Sequence, residues 1–295
     1  MIEQQLPVST NRSFLRRVLS QIGEFSEDRM ALVSALFLIV VGSLALLAPV
    51  LEIQDPYDAV NSMRNASPGT SGFILGADGH GRDVLSRMIW GGRVSLLVGI
   101  LPTFIAMLIS LVLGIAAAYC GGFLDTLIMR SLDVLFAFPL VLLAIAIAGV
   151  MNPGIITEIS AITIVLIPYI SRLVRTSTLS VMAQSYIEAA RAGGARTPTL
   201  IVRFVLPNMI APVIVYVTTL IGLMIVVGSG LSFLGLGVQP PVADWGEMVS
   251  DGRVVLRKAP HVTLFPGLAI LLVSLAFNFV GDGLQRVLDP KRLSR

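Results

Sequence analysis

A polar stretch of small residues, 186–208, lies between long apolar runs and offers one carboxylate, that of Glu188, to its surroundings. Ala189 and Ala190 follow directly; alanine favours helix and leaves room for another protein surface to approach. A Glu carboxylate in such a place can make charge-assisted hydrogen bonds with an Arg or Lys of that surface. The chemistry indicated is the docking of another protein.

Turn signals in the same stretch predict two short helices. Residues 180–192 suit a helix, and the Gly-Gly pair at 193–194 permits the positive φ angle that commonly ends one. The Thr-Pro pair at 197–198 predicts a new helix with a capping hydroxyl and a proline in its first turn. Pro207 is expected to interrupt that helix at the membrane face. Composition alone also allows a simpler interpretation, a well-capped loop between two spans.

A second polar group lies near residue 84, at the edge of a long apolar run. Its apolar residues recur at helical spacing, with polar residues opposite them, which predicts a short helix lying on the outer membrane surface. The apolar stripe is Val84, Leu85, Met88 and Ile89, and the polar motif is Gly81, Arg82, Asp83, Ser86 and Arg87.

A third polar group, Asp244, Trp245 and Glu247, follows a Pro-Pro pair in what we predict to be another external loop. Two interpretations of Trp245 stay open. It is either a member of the aromatic belt at a membrane interface, or a cap over a pathway or a contact for an external protein.

Two acidic residues, Glu158 and Asp282, lie within or beside apolar runs, where an ionisable group often marks function. Both fall near predicted helix ends, so we expect them at the membrane interfaces. For Asp282 we expect a structural role at the helix end or a contact with a partner.

Several other sites are disfavoured by the residues present. No Gly-x-x-x-x-Gly-Lys-Ser/Thr motif occurs, so the chain has no P-loop for ATP. His80 and His261 lie in different loops, and two histidines without a third ligand are more often solvated or structural than metal ligands. The single cysteine, Cys120, excludes an intrachain disulfide. We therefore predict no metal and no cofactor in this chain.

The composition is that of an integral membrane protein. Hydrophobic residues make up 55% of the chain and charged residues 13%, and the mean hydropathy is +0.86. Six runs are predicted to cross a hydrocarbon core of about 30 Å, which requires about 20 apolar residues each. They are Met30–Leu51, Val94–Leu124, Val134–Thr157, 155–174, Phe204–Ala243 and Ala259–Gly281.

The basic residues predict which side each loop faces. The segment up to Arg29, the 120s loop, the 172–203 loop and the tail carry 14 of the 21 basic residues, and the opposite loops carry 7. Both termini are therefore predicted to be cytoplasmic. The domain boundaries follow: a cytoplasmic amphipathic segment 1–29, a first transmembrane helix 30–51, an external loop with its surface helix 52–93, a transmembrane core 94–284, and a cytoplasmic tail 285–295.

The polar stretch resembles the Glu-Ala-Ala loop of ABC importer permeases, in which the motif is followed by Gly and then by Ile-x-Leu-Pro at fixed spacing. Glu188, Ala189, Ala190, Gly194, Leu206 and Pro207 match, and only Phe204 departs from the pattern. The stretches at 75–95, 121–139 and 231–290 resemble the C-type subunit of the dipeptide, oligopeptide and nickel importers. Ala77 of this chain stands where that family usually has Thr.

The resemblance implies an all-α type I importer permease with six transmembrane helices in the bacterial cytoplasmic (inner) membrane. It assigns ATPase coupling to the loop at about 172–207, through Tyr186, Glu188, Ala189, Ala190, Arg191, Gly194, Ala195, Leu206 and Pro207. The implied partners are a paralogous B-type permease, two ATPase subunits that bring ATP and Mg, an external solute-binding protein and the lipid bilayer, with no nucleic acid.

The substrate stays open, because dipeptides, longer peptides, glutathione, nickel or metallophore complexes and opine-like compounds are all carried by relatives with these motifs. A membrane-embedded enzyme is a rival interpretation, but it would need catalytic residues inside the membrane and both histidines lie in loops. A sensor or scaffold subunit is a second rival.

Overall fold

The computed structural model describes residues 28–51, 54–70 and 72–288. Residues 1–27 of the predicted amphipathic segment 1–29 and residues 289–295 of the predicted tail 285–295 lie outside the described residues. The described part of the chain forms ten α-helices: α1 Arg29–Leu47, α2 Val84–Cys120, α3 Gly122–Phe136, α4 Leu140–Val150, α5 Ile155–Met182, α6 Ser185–Ala192, α7 Thr197–Leu200, α8 Leu206–Phe233, α9 Trp245–Val255 and α10 His261–Leu288. Apart from two isolated bridges, these described residues contain no β-structure, so the all-α prediction is confirmed.

Five helical segments are each long and apolar enough to cross a membrane: α1, α2, α5, the segment Thr197–Phe233 that ends with α8, and α10. The remaining predicted span is broken. Helices α3 and α4 meet at an angle of 87°, and the chain has six spans if this bent pair is one of them. Pro139 lies immediately before α4 and cannot continue α3 because its ring disfavours helix in the residue before it.

Contacts between helix ends define two ends of the bundle. At one end, Arg286 of α10 binds Asp28, which caps α1, at 2.6 Å, and the Tyr119 hydroxyl near the end of α2 lies 2.8 Å from that of Thr197. We call it the α6 end, because α6 joins α5 to α7 there. The opposite end, where α9 lies, is the α9 end. The first and last described residues therefore share the α6 end.

Helix α5 packs against α2 and α8 and forms the centre of the bundle. Ile162, Leu166 and Ile170 are wholly buried on it. At Gly114 of α2 an added Cβ atom would lie 2.6 Å from a methyl carbon of Val174, so the two helices can approach this closely only with glycine there.

Three local predictions differ from the structure. Residues 84–93 are not a separate surface helix but the first turns of α2, which runs without a break to Cys120. The helix predicted over 180–192 is two helices, because α5 continues to Met182 and α6 starts at Ser185. Thr197 does not cap α7; Arg196 occupies the N-cap position and makes no side-chain capping bond.

Candidate functional site

Helix α6 has one buried residue, Ile187, and one partly buried residue, Ala190, and its other residues are exposed. Ile187 is wholly buried in the main hydrophobic core. The residues on either side of it, Tyr186 and Glu188, are exposed, as are Ala189 and Arg191. The helix therefore presents a carboxylate, a guanidinium and small side chains outward, while Ile187 fixes its position.

The turn after α6 is the predicted glycine termination. Gly194 has φ +81°, a left-handed conformation that favours glycine. The amide of Gly194 donates to Arg191 O at 3.0 Å and that of Ala195 to Ala190 O at 3.1 Å. This pair of bonds is the Schellman motif, which satisfies the last carbonyls of a helix.

The segment after this turn runs into α8 without a break. Pro198 lies in the first turn of α7, and residues Ile201–Val205 form a π-helical turn. Leu206 and Pro207 then begin α8, with Pro207 in its first turn. The predicted interruption at Pro207 is thus a change of helix type. Arg191 lies over the Tyr119 ring at 5.9 Å, which ties α6 to the end of α2.

At the α9 end, the motif at 81–87 is buried. Arg82 binds Asp78 at 2.6 Å and Asp251 of α9 at 3.1 Å, and Arg87 binds Glu247 of α9 at 2.9 Å. Arg87 is only 1% exposed. The predicted exposed positions of Arg82, Ser86 and Arg87 are therefore wrong: their polar groups face α9 and the preceding loop, where charged partners satisfy them.

Burial raises the pKa of Glu247 to about 8, although the Arg87 guanidinium acts in the opposite direction. The neighbouring carboxyl of Asp251 raises it further. One oxygen of Glu247, Oε1, is buried without a hydrogen-bond partner among the described residues.

Asp244 and Trp245 attach α9 to α2. Asp244 caps α9 by accepting from the amides of Gly246 and Glu247, and its other oxygen accepts from the Ser95 hydroxyl at 2.5 Å. The Trp245 indole N–H donates to Met88 O at 2.9 Å. Burial raises the pKa of Asp244, and the hydrogen bonds that its carboxylate accepts from Ser95, Gly246 and Glu247 oppose the rise.

The side chain of Trp245 is 2% exposed, which contradicts an interfacial belt residue and a contact for an external protein, whereas a cap over a pathway stays a prediction. Asp244 and Glu247 are similarly buried. These residues join α9 to α2, two segments about 150 positions apart in the chain.

Glu158 lies near a helix end, as predicted, but it is enclosed by protein and does not reach water. It is 1% exposed in the first turn of α5, and the Ser232 hydroxyl, near the end of α8, donates to its two oxygens at 3.3 and 3.4 Å.

Asp78 and Asp251 were not singled out in the sequence. The signal that would have found them is helical or turn spacing, since each lies four positions from a charged residue of the cluster, Arg82 and Glu247.

Asp282 is exposed on α10 near the α6 end. It lines a groove of about 660 Å³ whose other walls are α5 and α8. The two histidines have different partners: the His80 ring is 3.2 Å from an Arg82 nitrogen, and His261 is buried against Ala77 O. No group of three metal-ligating side chains occurs among the described residues.

The fold is similar to that of chains from ABC transporters. Two solved structures of the MetNI methionine ABC transporter in inward-facing conformations are similar to this chain, with TM-scores of 0.55 and 0.57 at 16% sequence identity. They cover 68% and 69% of this chain and 95% and 97% of the transporter chain.

The chain belongs to the family described as binding-protein-dependent transport system inner membrane component, whose model matches residues 110–294. The glutathione transport system permease protein GsiD of Pectobacterium atrosepticum is 42% identical over 284 residues, which are 95% of this chain and 91% of that protein. GsiD of Escherichia coli O6:K15:H31 is 44% identical over 270 residues, 90% and 88% of the two chains. The protein is therefore a multi-pass permease subunit of an ABC importer in the bacterial inner membrane.

Proposed function

We propose that this permease moves glutathione or a related peptide-like solute inward by alternating access, driven by ATPase subunits that dock on α6. Support for the docking surface comes from one observation: α6 exposes Glu188 and Arg191 while buried Ile187 and the Schellman turn hold it in place. Because α6 is fixed to the bundle in this way, a displacement of α6 by a partner would move the bundle and not only rearrange α6 locally.

The proposed coupling acts on two neighbours of α6. The helix follows α5 directly, and Arg191 and Thr197 contact Tyr119 at the end of α2. A displacement of α6 would therefore act on α2 and α5, which pack together through Gly114. The α6 end would face the cytoplasm, where ATP and Mg bind to the partner ATPases.

The proposed complex contains this chain, a paralogous B-type permease, two ATPases and an external solute-binding protein. We propose glutathione as the first candidate solute because relatives more than 40% identical over nine-tenths of this chain are named for its transport. Nickel or metallophore complexes and opine-like compounds are the alternative solutes for the same mechanism.

Charge reversal on α6 tests the docking surface. In the complex reconstituted into proteoliposomes, Glu188→Lys should abolish glutathione uptake and solute-stimulated ATP hydrolysis, because a basic partner would then meet a cation. Gly194→Leu should do the same by straining the positive-φ turn. The control is Asp58→Lys, a charge reversal at an exposed residue before α2.

Uptake at the wild-type rate by both the Glu188 and Gly194 variants, with membrane levels unchanged, would show that α6 does not transmit the ATPase motion. Copurification of the ATPases with wild type but not with Glu188→Lys would assign the defect to docking.

A further inference from the structure

A groove opens near the α6 end, with α8 as its floor and α5 and α10 as its walls, and polar and apolar side chains contribute equally in number to its lining. Its volume, about 660 Å³, is within the range of about 300–1,000 Å³ usual for small-molecule sites. Its polar lining comes from α8 and α10 and comprises Asn208, Tyr216, Thr219, Asp282 and Gln285.

Asp282 is the only ionisable carboxylate or base among the described lining residues. It makes no ion pair within the described part of the chain. The base one turn further along α10, Arg286, binds Asp28 of α1 at 2.6 Å and is engaged outside the groove. The groove therefore carries a fixed negative charge, which attracts cations most strongly where low-dielectric walls surround it.

The other polar groups offer hydrogen-bond acceptors and donors to the uncharged parts of a peptide-like molecule. The Asn208 amide nitrogen donates to Phe204 O at 2.6 Å, and this leaves its amide oxygen as an acceptor. The Thr219 hydroxyl donates to Val215 O at 3.2 Å within α8 and keeps lone pairs for a further donor. Tyr216 and Gln285 add donors that a peptide carbonyl or carboxylate can accept.

We propose that this groove is a binding site for the solute on its way out of the permease, and that Asp282 binds the ammonium group of a peptide-like solute there. The inference rests on the proposed function, since it takes the solute class from that proposal. Asp282 thereby becomes a specificity-determining residue, in place of the structural role expected for it from the sequence.

The test measures binding from the α6 end without the solute-binding protein. The nucleotide-free complex of both permeases and both ATPases is placed in nanodiscs, and equilibrium dialysis measures its affinity for glutathione and for N-acetylglutathione, which lacks the ammonium charge. The variant is Asp282→Asn, and the matched control is Asp58→Asn, which neutralises an exposed acid at the α9 end.

We expect Asp282→Asn to weaken glutathione binding about tenfold, as the loss of a charge-assisted hydrogen bond does, and to leave N-acetylglutathione binding unchanged. Asp58→Asn should bind both compounds as wild type does. Equal effects of Asp282→Asn on both compounds, or no effect on either, would overturn the inference. Loss of the ATPases from the Asp282→Asn complex on size-exclusion chromatography would also overturn it, because Asp282 would then hold the partner.

Uptake by the wild-type importer separates the two proposals. Wild-type proteoliposomes that take up neither glutathione nor dialanine would contradict the proposed function itself. Uptake with no difference between the two ligands in the Asp282→Asn comparison would contradict only the role of Asp282.

Discussion

Glu247 illustrates how much one buried carboxyl depends on its surroundings. It faces Arg87 from α2, has Asp251 one turn along α9, and lies near Arg82 and Asp78 of the loop before α2. Its carboxyl is withdrawn from water by packing against these elements, and a desolvated carboxyl holds its proton to higher pH. The pKa of about 8 in the folded protein stands well above its ordinary value of 4.5.

This difference predicts a pH dependence of stability. Because the folded pKa is the higher one, the folded state binds the extra proton, and its stability is complete below pH 4.5 and is lost as pH rises through 8. Between pH 6.5 and 8.5 the free energy of unfolding should fall by about 2 kcal/mol. Thermal unfolding of the purified protein in detergent measures it.

The control for this prediction is Glu247→Gln, which is neutral at every pH. It should flatten the pH dependence over the same window, so the difference between wild type and variant isolates the contribution of Glu247 from that of all other titrating groups. Identical pH profiles for the two proteins would mean that Glu247 is already ionised at pH 6.5.

At the scale of elements, the contact between α2 and α5 depends on the absence of a side chain at Gly114. Gly114→Ala should lower the free energy of unfolding by about 1–3 kcal/mol, the usual cost of overpacking, because its Cβ would meet Val174 and the Ser171 carbonyl. Gly149→Ala in α4 is the matched control, since nothing lies within 4 Å of its Cβ position.

Gly149→Ala should be neutral or stabilising by up to about 1 kcal/mol, which is the helix preference for alanine. Thermal unfolding of both variants makes the comparison. Equal stability of the two variants would show that α2 and α5 can separate at no cost.

Sequence patterns predicted the elements best where local chemistry alone determines them. The glycine pair at 193–194 ends α6 and Pro198 opens α7 because φ angles and a missing N–H act within one turn. The prediction of a surface helix at 84–89 was wrong because it took the polar face of that helix, Ser86 and Arg87, to be exposed to solvent. No local signal reveals that α9, about 160 residues later, covers that face.

At the scale of the whole molecule, the prediction that remains to be tested is orientation. The α6 end carries the described chain ends and the basic 172–203 loop, so we expect it to be cytoplasmic. Alkaline phosphatase fused after Val238, at the α9 end, should be active. The same enzyme fused after Ala195 should be inactive, whereas a fluorescent protein there should fluoresce. Phosphatase activity at Ala195 would reverse the topology.

The apolar runs predicted five of the spans directly, and the sixth if the bent pair of α3 and α4 is one span, because a hydrocarbon core imposes length and composition. They did not predict the bend of 87° between α3 and α4, which sets two short helices in place of one. The buried site at the α9 end was also beyond the sequence, since its charged residues come from segments distant in the chain and each motif alone is compatible with exposure.

The position of the one thiol offers a practical means to follow motion. Cys120, the last residue of α2, is exposed and is next to Tyr119, whose hydroxyl contacts Thr197 beyond the Schellman turn. Because it is the sole cysteine of the chain, a maleimide fluorophore or nitroxide spin label would modify the unaltered protein at a single place. Its signal would report whether the junction between α2 and the α6 segment changes during ATP turnover.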